Sequence, residues 1–525
     1  MRDNKDWQSP SHYPPAAACI LVIAIATMYA ATAQHSAAAL TTLPRYIDEY
    51  AVPTPNSAPL ALTVDRNGIV WFTESNASKL GRFDPRTDAF TEYDVPGVGD
   101  MWGITIDESG NIWLTQYSLK GSVNPGGAIE PGGNGRLVRF NPSNGNFTVI
   151  TIPTPGSFPF RIIPDAEGRL WFTELLGNRI GSYDPFSGKL QEYTVPTQFA
   201  GPADLTFDSH GKLWFTEAYN GSVARFDLQT KEFIEYHFSS IDPTQYVGSP
   251  VGIAVTPDGI VWVADHGGNW IVEFNSTSQQ ITRYPTHEPP PQVYPISIPN
   301  DLLIDGEGRV WFAEHGGNSI GFLDPSTQKM VEYAIPTGPI STALWIALAP
   351  DGNVWFTEWS GNKIGLVNAN QTVPFIVSAS EGHLDLQPGG QTSLTLSANN
   401  VQSSGNGSYV YSWPSYTPED INVTFSPQSA SLIDLANNPS LVKIIVSTRT
   451  TPGQYVLGLG LDAGTVRVWT MVKTDVSGQA PVTISLPNTV WFIIGATVVF
   501  LALLTGRRLH RSSRKTAVRP VTMFI

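Results

Sequence analysis

The sequence predicts an all-β fold: a seven-bladed β-propeller, then an Ig-like β-sandwich and a C-terminal transmembrane helix. The first observation behind it is a repeated pentapeptide. VWFTE at Val70–Glu74 returns as IWLTQ (112–116), LWFTE (170–174), LWFTE (213–217), VWVAD (261–265), VWFAE (310–314) and VWFTE (354–358). Its tryptophans, Trp71, Trp113, Trp171, Trp214, Trp262, Trp311 and Trp355, are spaced 42, 58, 43, 48, 49 and 44 residues apart. A period in this range marks a repeat architecture. The second observation is the grammar within each repeat: four short runs rich in Val, Ile, Phe, Trp and Tyr, separated by turn residues, with no helical periodicity. Four strands per period describe one propeller blade. The third is a change at about residue 374, where the tryptophan repeat stops and alternating strands begin.

Taken in order, residues 1–33 read as a signal peptide. Arg2 and Lys5 precede an apolar run, Ala16–Ala33, that ends in Ala31-Thr32-Ala33. This layout fits cleavage at small residues, with an uncleaved N-terminal anchor as the alternative. The propeller spans 45–370. Asp-x-x-Gly and Gly-Asn supply tight turns, because Gly and Asn tolerate positive φ. Asp-Pro ends the third strand, since proline cannot donate to a ladder. The outer strand carries Glu-Tyr, at Glu92-Tyr93, Glu192-Tyr193, Glu235-Tyr236 and Glu332-Tyr333. The last repeat has no such strand, and an unpaired one, Asp48–Pro53, precedes the first repeat. The N-terminal strand is therefore expected to complete the seventh blade and remove the open edge.

Residues 374–475 contain alternating strands such as His383–Leu396, Leu441–Thr448 and Gln454–Leu461, as expected for an Ig-like sandwich acting as a stalk. Residues 484–506 form an apolar span and 507–525 a basic tail with Arg507, Arg508, Arg511, Arg514 and Lys515. The basic flank places the C-terminus in the cytoplasm and the propeller at the cell surface. Leu486-Pro487-Asn488-Thr489 is an imperfect match to a sortase-type sorting signal.

The 525-residue chain has a net charge of −14, which argues against a nucleic-acid partner. Its one cysteine, Cys19, lies in the N-terminal apolar run, so the chain beyond that run has no disulfide and no thiolate chemistry. Seven Asn-x-Ser/Thr sequons, at Asn76, Asn146, Asn220, Asn275, Asn370, Asn406 and Asn422, suit a glycosylated surface protein.

The repeats separate scaffold from site. The acid three residues after each tryptophan recurs as Glu74, Glu174, Glu217, Asp265, Glu314 and Glu358, with Gln116 the exception. Its recurrence predicts a structural role, bonding backbone at the strand end. Variation points elsewhere. Three long insertions, Leu119–Asn134, Ser239–Ser249 and Pro285–Ile298, all fall on the face where inner strands start and second strands end. Loops on a rigid scaffold carry function, so this face is the expected binding surface.

Asp100, Arg161, Asp204, Asn300 and Asp301 aim polar groups at the channel mouth there, and Trp102, Phe160 and Trp345 supply aromatic walls. His266 and His315 follow the recurring acid in adjacent blades. Convergent polar groups on an apolar lining suit a small-molecule site. The ligand-binding set is Asp100, Trp102, Phe160, Arg161, His266, His315 and Trp345. Asp204, Asn300 and Asp301 could hold Mg²⁺ or Ca²⁺ through hard oxygens. The alternative is that these residues solvate the channel or bond turns, and that the histidines are loop-tip polarity.

The stretches SPVGIAVTPDGIVW (249–262), LWFTELLGNRIGSYDP (170–185) and VWFTEWSGNKIGLV (354–367) resemble the streptogramin B (virginiamycin B) lyase family. The resemblance covers about 45–370. It implies a seven-bladed propeller that opens a cyclic depsipeptide by elimination across its ester C–O bond, with Mg²⁺ and a histidine base. That base stands in a P-H-G-I step starting the last inner strand. Here the step reads Thr342-Ala343-Leu344-Trp345-Ile346, with Leu344 in place of the histidine. The acid two before the base is matched only by Asp100, in another blade. Asp204 and Asn300-Asp301 also resemble metal positions of gluconolactonase/regucalcin propellers. The sequence thus supports two functions: a surface propeller binding a small-molecule, glycan or surface-protein ligand, or a Mg/Ca-dependent lyase or lactonase acting on a cyclic ester.

Overall fold

The computed structural model of the protein describes residues 45–97, 99–117, 135–242, 246–287, 289, 296–399, 408–412, 421–431 and 437–478. Among them, seven four-stranded antiparallel units succeed one another along the chain. Six are built from consecutive strands, beginning at Pro59, Ile104, Pro159, Pro202, Pro250 and Pro299. The seventh takes three strands from Ala343–Val367 and its outer strand from Ile47–Ala51. Ile47 pairs with Val367 and Ala51 with Lys363, so the N-terminal strand closes the ring as expected.

Each recurring residue has a physical task. The aspartate of Asp-x-x-Gly caps its own turn: Asp165 Oδ1 accepts the Glu167 and Arg169 amides. Its second oxygen accepts the indole N–H six residues on, Trp171 to Asp165 at 2.9 Å. Trp113 with Asp107, Trp214 with Asp208 and Trp311 with Asp305 repeat this bond at 2.8, 3.0 and 2.7 Å. A buried indole thereby keeps its donor satisfied. The glycine of the third strand makes room for the phenylalanine beside that tryptophan. A Cβ on Gly181 would sit 2.1 Å from Phe172.

The threonine before the recurring acid joins neighbouring blades around the channel. Thr73, Thr115, Thr173, Thr216 and Thr357 donate to the Met101, Phe160, Ala203, Val251 and Leu60 carbonyls of the next inner strands. Blades five and six carry Ala264 and Ala313 at this position. On the outer side, the glutamate of Glu-Tyr binds the link leaving the preceding blade. Glu92 accepts the Thr54 amide at 3.0 Å, Glu235 that of Thr197 at 2.9 Å, and Glu49 that of Thr337 at 2.8 Å. The expected backbone-bonding role thus belongs mainly to this second acid. Of the recurring acids after the tryptophans, Asp265 does bond backbone, accepting the Gly248, Ser249 and Gly267 amides.

The segment after residue 374 departs from a detached sandwich. Its strand Val466–Val476 pairs antiparallel with Lys329–Ala334, the outer strand of blade six, and extends that blade into a nine-stranded sheet. A second sheet is built from Ile376–Ala379, Gln391–Asn399, Ser440–Val446 and Ile421–Ser426. Tyr333 and Ile335 of blade six share one core with Leu394, Ile444, Leu459 and Val468. An edge strand of the propeller is covered, which is how the exposed ladder is managed here. No helix among the described residues is long and apolar enough to cross a membrane. The expected signal peptide at 1–33, the span at 484–506 and the tail at 507–525 lie outside the described residues.

Candidate functional site

Six of the seven inner strands begin opposite the end of the second strand: Pro59 faces Glu74, Pro159 Glu174, Pro202 Glu217, Pro250 Asp265, Pro299 Glu314 and Ala343 Glu358. In all six the register then shifts before the fourth residue. A bulge of this kind re-aims side chains, and it carries residues 160–161, 203–204, 300–301 and 344–345. The described flanks of the three insertions end on this same face. Their interiors, 118–134, 243–245, 288 and 290–295, lie outside the described residues.

The structure gathers most of the predicted residues into one cluster. Trp102 stacks on Phe160 with ring centroids 5.0 Å apart, and Phe160 lies 5.6 Å from Trp345. The Arg161 guanidinium sits over the Trp345 ring, 4.4 Å from its centroid. Arg161 Nε lies 3.1 Å from Asp204 Oδ1, and Nη1 lies 3.6 Å from Asp301 Oδ1. Asp204 and Asp301 are fully buried. Burial raises both carboxyls, Asp301 to about 7, and Arg161 opposes the shift. Below this group a cavity of about 270 Å³ opens along the inner strands, with Arg161 the one charged residue among the described residues of its lining.

Asn300 has another task. Its amide donates to the Leu344 carbonyl at 2.7 Å, the inter-blade bond that a threonine at position 313 would otherwise make. Asp204 Oδ2 accepts the Ile253 amide, and Asp301 Oδ2 accepts the Ile346 amide. The three residues assigned to a metal are therefore inter-blade fasteners, two of them facing a guanidinium. This donor set does not fit the Mg²⁺ that the resemblance implies, nor Ca²⁺: both Asp204 oxygens accept backbone amides, Leu205 at Oδ1 and Ile253 at Oδ2, one Asp301 oxygen accepts the Ile346 amide, and Arg161 faces the Oδ1 of each.

His266 and His315 form a separate pair on the same face, ring centroids 5.9 Å apart. Burial lowers His266 to about 3, helped by its neighbour's charge, and His315 to about 4, so both are neutral at pH 7. Asp100 is placed by its backbone bridge to Tyr117. Sequence reasoning missed Phe158 and Tyr117, which stack at 5.0 Å and extend the aromatic cluster. The signal was available in the Ser157-Phe158-Pro159-Phe160 step at the inner-strand start.

The virginiamycin B lyase family model matches residues 131–342. A solved streptogramin B lyase is 29% identical over 62% of this chain and 97% of its own, with a TM-score of 0.52. The propeller is virginiamycin B lyase-like. The virginiamycin B lyase of Staphylococcus aureus is 27% identical over 61% of this chain and 98% of its own, with a TM-score of 0.51. A catalytically inactive histidine-to-alanine variant of that enzyme, solved with quinupristin, matches at 28% over 61% and 98%, with a TM-score of 0.51. No curated protein matches the chain. In this virginiamycin B lyase-like propeller the position of the expected base is Leu344, which is buried.

Proposed function

We propose that this virginiamycin B lyase-like propeller is a ligand-binding surface protein that keeps the lyase scaffold without its chemistry. One observation carries the reading. At the last inner-strand start, where the family resemblance calls for a histidine base, stand buried Leu344 and a Trp345 capped by Arg161. Elimination needs a base beside the abstracted proton and an electrophile at the ester carbonyl. This cluster offers the partly exposed Trp102 and Arg161 over buried Phe160 and Trp345, with no histidine base among them. Such a site suits a small molecule, a glycan or a surface-protein segment that can pack on Trp102 beside the Arg161 cation. The basic tail at 507–525 and the apolar run at 484–506 support anchoring with the propeller outside the cell.

The test is full-length protein with quinupristin, with and without Mg²⁺, followed by tryptophan fluorescence and by chromatography of the ring-opened product. We expect no ring opening under either condition. A second reading, a Mg/Ca-dependent lyase or lactonase, draws on the neutral His266–His315 pair at the elaborated face. Turnover abolished by His315→Ala would sink the binding reading and support that one.

A further inference from the structure

The centre of the channel is tied together by one side chain. Arg161 comes from blade three, Asp204 from blade four and Asp301 from blade six. Arg161 Nε and Nη1 face one oxygen of each carboxylate, at 3.1 and 3.6 Å. The other oxygens accept backbone amides of the following blades, Ile253 at 3.1 Å and Ile346 at 2.9 Å. Trp345 of blade seven covers the guanidinium face at 4.4 Å. Four blades therefore meet at a single cation, and blade five joins them through Asp204.

Two buried carboxylates turned toward one point cost free energy unless a positive charge stands between them. Hard divalent ions fill such places in oxygen-lined sites. A guanidinium fills this one with a planar, weakly hydrated cation that also stacks on an indole. The cavity beneath offers no competing charge: its walls there are Ile163, Leu303 and Ile346.

We infer that Arg161 is a built-in cation, occupying the place between Asp204 and Asp301 that a divalent ion could take and making the propeller channel independent of metal. The inference goes beyond the binding reading. It holds whether the channel mouth binds a ligand or turns one over, so the two can fail separately.

Removing the guanidinium should turn the lock into a cation site. The experiment titrates Tb³⁺ into the full-length protein and reads emission sensitised by tryptophan, since Trp345 lies beside the position in question. Arg161→Ala is expected to bind at least about tenfold more tightly than wild type, because a positive charge no longer repels the ion at short range. Adding Asp301→Asn to that variant is expected to abolish the gain. Emission that persists in the Asp204→Asn/Asp301→Asn double variant is background from other sites. Arg161→Gln, neutral and of similar reach, is the second variant, and it is expected to show the same gain. Wild-type emission lost on Asp301→Asn would overturn the inference, because the carboxylates would then already hold an ion. A folded Arg161→Ala or Arg161→Gln protein with no gain over wild type would overturn it as well.

Discussion

Glu174 illustrates how a recurring residue can look catalytic and be structural. It is fully buried, and burial together with Glu192 raises its carboxyl to about 9. Burial raises Glu74 to about 7, and Glu217 and Glu358 to about 8, each beside an outer-strand glutamate. Each pair keeps a proton because two adjacent carboxylates cannot both ionise in a dry site. These folded values lie above the ordinary 4.5. The folded protein therefore holds protons that the unfolded chain has released. The stability from these groups is complete below pH 4.5 and is lost as pH rises through 7 to 9. The melting temperature should fall steadily between pH 5 and 9, and Glu174→Gln should flatten that slope. An unchanged slope in the variant would remove Glu174 as a source. Gly181 makes a second residue-scale prediction. An alanine there drives a methyl into Phe172, and overpacking of this kind costs about 1–3 kcal/mol, measurable by urea denaturation.

Elements are joined by charges whose origin changes from blade to blade. The first residue of the third strand is Lys79 in blade one and Lys363 in blade seven, paired with Glu92 and Glu49 at 2.9 and 3.1 Å. Blade six has Ser319 at this position. Its cation comes from the appended sheet: Arg467 lies opposite Glu332 in the ladder, donates to Ser319 at 3.1 Å and pairs with Asp462 at 3.0 Å. Arg467→Met would leave Asp462, Glu332 and Glu314 without their buried partner. Loss of one member of such a group costs about 3–5 kcal/mol, so we expect a matching drop in unfolding free energy in guanidinium chloride. A variant as stable as wild type would show that the strand pairing alone secures this junction.

At the scale of the whole molecule, the appended sheets behave as part of the propeller. Blade six lends them an edge strand and a share of its core, including Tyr333 and Val331. A chain cut after residue 370 exposes the Lys329–Ala334 edge and these apolar side chains. We expect it to associate or aggregate on size-exclusion chromatography with light scattering. A monodisperse monomer melting at the wild-type temperature would contradict this.

Much of this architecture could be read before folding was considered. Seven spaced tryptophans, the displaced Glu-Tyr strand and the Asp-x-x-Gly turns are local signals, and each repeats often enough to check itself. The membership of the channel cluster was legible too, because the inner-strand starts name Trp102, Phe160, Arg161, Asp204, Asp301 and Trp345. Their roles were not. Asp204 and Asp301 are ordinary metal ligands on paper and partners of Arg161 in space. Asn300 acts as a fastener because Ala313, in the neighbouring strand, lacks a hydroxyl.

The sequence by itself determined the blade count, the ring closure and the face that carries the insertions, since periodicity and turn chemistry act over a few residues. Only the tertiary structure decided that a guanidinium faces both carboxylates and that strand Val466–Val476 belongs to blade six. Those pairings span 43 to 141 residues. Burial and charge choose them only once the ring has closed.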